Sequence, residues 1–192
     1  DLDLASGGGQ VAAKEHPVGL DLAGTSKGAD GDAKSATSTA VARVDEPFVR
    51  AKAGRALHEA KREQTVEFDW QGRLPAPRVW KNRARYEDVY TGADLVVESR
   101  RSGFEALLEF TDAASLDEWL SAEGSKGVWD LPVNLTGVTA RESHDGGVDF
   151  VNPEGVVVSR VSAPIAWDSK VDPQSGEREA VSPVKLSVVG AA

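Results

Sequence analysis

Apolar and polar side chains alternate through much of this chain, most plainly between Asp94 and Phe110. Leu95, Val97 and Ser99 fall on one side of that stretch and Val96 and Glu98 on the other. After Arg100-Arg101-Ser102-Gly103, the residues Phe104, Ala106, Leu108 and Phe110 oppose Glu105, Leu107 and Glu109. A period of two is that of a strand with one covered face, and a short polar break ending in glycine suits a hairpin. One face is apolar and the other mostly charged. Burying Leu95, Val97, Phe104, Leu108 and Phe110 contributes about 1.5 to 3 kcal/mol for each large side chain, so the hairpin calls for a second layer.

The same period recurs upstream and downstream. Val66, Phe68 and Trp70 alternate with Thr65, Glu67 and Asp69, then Gln71-Gly72-Arg73 turns the chain. Leu74-Pro75-Ala76-Pro77 cannot be a central strand, because proline has no amide hydrogen to donate. Further strands are predicted at Val128–Leu131, Asn134–Arg141, Val148–Val151, Val156–Val161 and Val184–Val189. Asp145-Gly146-Gly147, Asn152-Pro153-Glu154-Gly155 and Asp172-Pro173-Gln174-Ser175-Gly176 separate them as turns. Residues 64–192 are therefore expected to form one β-rich domain. Asp1–Leu4 and Val18–Leu22 are two shorter candidates, so residues 1–23 are expected to add a strand pair to its sheet.

Two stretches depart from this pattern. Residues 24–44 are expected to be a flexible loop, since Gly24 to Thr39 offers no large apolar side chain to offset chain entropy. Asp30-Gly31-Asp32 reads there as a turn, the later ligands of a calcium loop being missing. Residues 45–63 carry Val49, Ala53, Ala56, Leu57 and Ala60 at spacings of three and four, which predicts a helix capped by Asp45. Arg50 and Arg55 lie on its polar side, where they either dock a partner or face solvent. A second helix is expected from the capping box Ser115-Leu116-Asp117-Glu118, with Leu116, Trp119 and Leu120 as its buried stripe and Gly124 as its stop. The fold class is mainly β, an antiparallel sandwich or rolled sheet with one or two short helices.

Charge narrows the partners. The 192 residues carry a formal net charge of −9, and residues 111–192 hold 13 acidic against 6 basic side chains. Such a surface repels nucleic acid and anionic membranes. Arg73, Arg78, Lys81, Arg83 and Arg85 with Trp80 among them resemble a groove for a single nucleic-acid strand. Glu87, Asp88 and Asp94 blunt that field, and the arginines are expected to cover a sheet edge instead. No apolar run approaches the ~20 residues of a membrane helix.

Candidate chemistry is sparse. Cysteine is absent, and none of His16, His58 and His144 has a second ligand at metal-binding spacing. Nucleophile-elbow motifs are missing as well. No cofactor and no enzymatic activity are expected. Trp80, Tyr86 and Tyr90 form a possible sugar platform, with core packing the competing fate.

Trp70-Gln71-Gly72-Arg73-Leu74-Pro75-Ala76-Pro77, Ala84 to Glu98, Ser102-Gly103-Phe104-Glu105 and Ala163-Pro164-Ile165-Ala166-Trp167-Asp168 carry a resemblance. They look like a module of secreted actinobacterial RHS/YD-repeat, polymorphic-toxin-like and related LamG- or DNRLRE-containing surface proteins. That module lies upstream of the repeats. The chain departs from the family in lacking a proline before Gly92 and in its longer Pro47–Glu63 segment. The resemblance implies secretion and a structural or delivery role, in which the chain docks onto, caps or stabilises the rest of its parent polypeptide or its cleaved fragments. It transfers no catalytic residue. The strand-like start at Asp1-Leu2-Asp3-Leu4 likewise suggests a piece of something longer. The alternative is a carbohydrate or cell-wall binding module.

Overall fold

The computed structural model describes the backbone of residues 4–7, 10–13, 20–23 and 39–45, and residues 64–71, 74–101, 103–122 and 127–190 in full. The chain divides into two compact units, 1–136 and 137–192, where the strand pattern predicts a single domain over 64–192. Both units are antiparallel and mainly β.

The first unit holds two sheets. One is six-stranded, with β1 (Leu4–Gly7), β2 (Gln10–Ala13), β3 (Leu20–Ala23), β4 (Thr39–Asp45) and β5 (Thr65–Trp70) in sequence order. The other is the meander β6 (Arg78–Trp80), β7 (Arg83–Tyr90), β8 (Ala93–Arg100) and β9 (Gly103–Phe110), followed by the helix α1 (Ala113–Ser121). Strand β10 (Val133–Thr136) then returns to pair with β5.

Residues 1–23 contribute three strands to the sheet of β5, where two are expected, and the pairing Gly7↔Gln10 extends β1 beyond Leu4. Strand β4 occupies 39–45, and its first six residues fall in the stretch expected to be a loop over 24–44. Its β-branched Thr39, Val41 and Val44 favour extended backbone, and the edge of β5 pairs with it from Thr39↔Trp70 to Asp45↔Thr65. Asp45, expected to cap a helix, ends this strand. The remainder of the predicted 45–63 helix, with Arg50 and Arg55, lies outside the described residues, as does the Asp30-Gly31-Asp32 turn.

The two sheets share one core. Trp70 on β5 packs with Ala84 and Tyr86 on β7 and Leu95 and Val97 on β8, all buried. Phe68 meets Phe104 edge-on, with centroids 5.4 Å apart. The β8–β9 register runs from Ala93↔Phe110 to Arg100↔Gly103 and pairs Leu95 with Leu108 and Val97 with Ala106, as the alternation predicts. Gly103 has φ of 144°. The second face of β8 differs from expectation: Val96 and Glu98 are also buried. Arg83 Nε, Arg100 Nη1 and Asn82 Nδ2 lie 2.9, 3.2 and 3.1 Å from the Glu98 carboxylate, which satisfies its charge away from water.

The N-cap of helix α1 lies three residues before the expected one. Asp112 is the N-cap, and its carboxylate accepts from Ser115 N at 2.8 Å and from Ser115 Oγ at 2.9 Å. The helix ends at an Ala122 cap, and Gly124 lies outside the described residues. Its apolar stripe is not buried: Leu116 and Leu120 are exposed and Trp119 is half-buried.

The strand expected at Val128–Leu131 is irregular backbone. The one expected over Asn134–Arg141 is two strands, β10 and β11 (Thr139–Glu142), which belong to different sheets. Gly137 separates them with φ of 66°, a conformation that breaks an extended ladder.

In the second unit, β11, β12 (Val148–Val151) and β13 (Val157–Val161) form the predicted meander, while β14 (Ile165–Trp167) pairs with β15 (Val181–Pro183). The strand expected at Val184–Val189 is not formed; the ribbon's second strand ends at Pro183. Val138, Val148, Phe150 and Val151 are buried here. Arg141, Asp149 and Arg160 stand opposite one another across the three strands. The buried Asp149 carboxylate lies 2.7 Å from Arg160 Nε and 3.5 Å from Arg141 Nη2. Asn152 closes the next turn by accepting from Val156 N at 2.8 Å.

Candidate functional site

Arg78, Lys81, Arg83 and Arg85 of the basic segment lie on the hairpin β6–β7, and Arg73 lies outside the described residues. Trp80 ends the edge strand β6, is 65% exposed, and has Lys81 Nζ 4.8 Å from its ring centroid. Around it Arg78 pairs with Glu87, Arg83 with Glu98, and Arg85 with Asp94 and Glu109. The stems of these arginines, with Trp80 and Glu109, line a shallow depression over Val96. Arg78 stands on the edge strand β6 but Arg83 and Arg85 stand on the inner strand β7, and each of the three meets a carboxylate.

The three aromatics proposed as a sugar platform do not stand together. Tyr86 is fully buried in the core, where burial raises its phenol well above the ordinary range. Its place on the inward side of β7 opposite Leu95 removes it from any surface. Trp80 is on the outer face. Tyr90 reaches the rim of the core, because an irregularity in β7 between Tyr86 and Tyr90 changes its course. Asp88 there takes φ of 52° and donates its N–H to Asp94 Oδ1 at 2.9 Å.

Tyr90 instead joins a different set of rings. Trp129, Trp70, Tyr90, Trp119 and Phe110 follow one another with successive centroid separations of 6.3, 5.6, 6.2 and 5.4 Å. The series runs from the core outward to α1. Where it surfaces, Gln71, Tyr90, Thr91, Glu118, Trp119 and Asp130 line most of a cleft of about 370 Å³. Burial raises the Tyr90 hydroxyl pKa, and the negative charge of Asp130 adds to it. Among the described residues, neither Glu118 nor Asp130 has an ion-pair partner.

The turn beside the cleft is tightly held. Thr111 N donates to Gly92 O at 2.9 Å, and Thr111 Oγ1 lies 3.2 Å from both Gly92 O and Ser115 Oγ. Gly92 has φ of 66°, and a Cβ placed on it would lie 2.2 Å from Ser115 Oγ. Only glycine lets the β7–β8 turn approach α1 this closely.

Sequence periodicity missed Trp119, Glu118, Asp130, Gln71 and Thr91 as cleft residues. It placed Trp119 in a buried helical stripe, whereas Trp119 is half-buried and Ala113, Ala114, Leu116 and Leu120 of the same helix are exposed. The usable signal was Phe110 lying nine residues before Trp119 at the end of a strand, which brings the helix back toward the β7–β8 turn.

In the second unit the prominent surface feature is apolar. Val156, Ile165, Val171, Val181, Val184 and Val189 are exposed, Ile165 at 52% and Val189 at 93%. Trp167 is half-buried and carries the Arg178 guanidinium 3.9 Å from its ring centroid.

Among the described residues, no group of three or more His, Asp or Glu side chains is placed to hold a metal ion, and no helix is long and apolar enough to cross a membrane. Compared with protein families, curated proteins and solved structures, the chain matches none.

Proposed function

We propose that this chain is a non-enzymatic docking module of a larger exported polypeptide, holding or capping the remainder of that polypeptide. The observation that carries this is the apolar surface of residues 137–192. A three-stranded sheet and a two-stranded ribbon bury few side chains between them, and a ribbon of two strands is barely stable by itself in water. Ile165 and Val181, on β14 and β15, and Val184 just beyond β15 leave apolar area uncovered that a further polypeptide segment would remove from water. The resemblance of Trp70–Pro77, Ala84–Glu98 and Ala163–Asp168 to modules of RHS/YD-repeat surface proteins supplies the occupant.

The test is a calorimetric titration of residues 1–192 with the polypeptide segments encoded on either side. Saturable binding that Ile165→Asp and Val181→Asp abolish supports docking. Absence of binding to either segment by a folded chain contradicts it.

A second reading, binding of a glycan, is favoured by the cleft between Tyr90 and Trp119, where aromatic faces stand beside hydrogen-bonding groups.

A further inference from the structure

We propose that the cleft between β7 and α1 binds an organic ammonium group, with Tyr90 and Trp119 as its walls and Glu118 and Asp130 as its counter-charges. This rests on the glycan reading of the same cleft and narrows it from sugars in general to amine-bearing ligands.

Three observations converge. The rings of Tyr90 and Trp119 stand 6.2 Å apart and tilted by 52°, and both line the cleft, so a compact cation entering it comes within reach of two aromatic side chains. Two carboxylates line the same space, and no lysine or arginine lines it with them or pairs with them among the described residues. The charge of Asp130 is felt at the Tyr90 hydroxyl. A neutral ligand gains from the ring faces alone, whereas an ammonium group gains from rings and carboxylates together. Gln71 and Thr91 add polar groups at the rim, which suits a hydroxylated body such as a sugar ring. About 370 Å³ falls within the ordinary range of small-ligand sites. A chain of net charge −9 also attracts cations toward its surface.

Alternative ligands fit less well. A carboxylate or phosphate would face Glu118 and Asp130 without a compensating cation among the described residues. A purely aliphatic ligand would leave both charges beside apolar surface.

The experiment is an NMR titration of the ¹⁵N-labelled 192-residue chain with tetramethylammonium, glucosamine at a pH where its amine is protonated, and N-acetylglucosamine. The Trp119 indole signal is assigned by its loss in Trp119→Phe. Expected is a saturable shift of that signal with tetramethylammonium and with glucosamine, and binding of N-acetylglucosamine weaker by about tenfold or more. Asp130→Asn and Glu118→Gln, both at exposed positions, should each weaken ammonium binding while leaving the rest of the spectrum in place. Equal binding of glucosamine and N-acetylglucosamine overturns the charge requirement and leaves a neutral-sugar cleft. Absence of a shift with all three overturns both the ammonium site and the glycan reading.

Discussion

Trp70 and Tyr90 face each other with ring centroids 5.6 Å apart, one buried in the core of the first unit and the other at the edge of the cleft. The same contact therefore belongs to the fold and to the candidate site. Replacing Trp70 with alanine empties a volume framed by Tyr86, Leu95 and Val97, and should cost about 3 to 5 kcal/mol of unfolding free energy. Trp80→Ala, at a 65% exposed position, should stay within about 0.5 kcal/mol of the parent. Urea titrations of both variants check the contrast, and equal losses would mean that the core is misplaced.

Gly92 gives a sharper test of how α1 is seated. Gly92→Ala must adopt φ of 66° and also push a Cβ into Ser115, so a loss of about 1 to 3 kcal/mol is expected. Adding Ser115→Gly to that variant should recover part of the loss, because it clears the Cβ and Oγ that the new methyl meets. Gly103→Ala has open space around it and should show only the cost of its φ of 144°. Thermal denaturation of the four chains separates strain from collision.

Acid should weaken the protein through its turns. Hydrogen bonds from Ser115 hold the Asp112 carboxyl below the usual range, the Ser143 hydroxyl does so first for Asp145, and backbone amides of Ser175 and Gln174 do so for Asp172. A folded pKa below the unfolded one means stability that is present above about pH 4 and is lost as pH falls through the folded values. The combined Asp112→Asn, Asp145→Asn and Asp172→Asn variant should flatten the acid limb of a plot of urea midpoint against pH. An unchanged slope would assign acid sensitivity to other groups.

The hydrophobic alternation made much of this architecture legible. It located β5, β8, β9 and β12 and the facing pairs Leu95–Leu108 and Val97–Ala106, because a half-covered strand writes its burial directly into a period of two. It failed at Asn134–Arg141, where a continuous extended run hides the turn at Gly137 and the boundary between two units. Residues 39–44 fall in the stretch expected to be a loop, an expectation drawn from the weakly apolar run Gly24 to Thr39, whereas pairing with β5 makes them a strand. The cleft was mostly illegible. Tyr90 and Trp119 come together only through the irregular end of β7 and the short step from β9 into α1, and neither event leaves a periodic trace.

The Asp149 ladder predicts how the second unit responds to charge removal. Arg160→Met withdraws the closer of the two guanidinium groups from a buried carboxylate and should lower the urea midpoint of the chain. Adding Asp149→Leu should restore much of that loss by removing the stranded charge. A double variant less stable than Arg160→Met alone would show that the carboxylate serves another contact.

Docking is tested most directly by hydrogen exchange of residues 1–192, alone and mixed with the polypeptide encoded on either side. A docking surface predicts new amide protection concentrated at Ile165–Trp167 and at Val181 and Ser182, absent from the Ile165→Asp chain. Exchange in those strands that is identical with and without the flanking polypeptide, in a chain whose β7 to β9 amides remain protected, would contradict it.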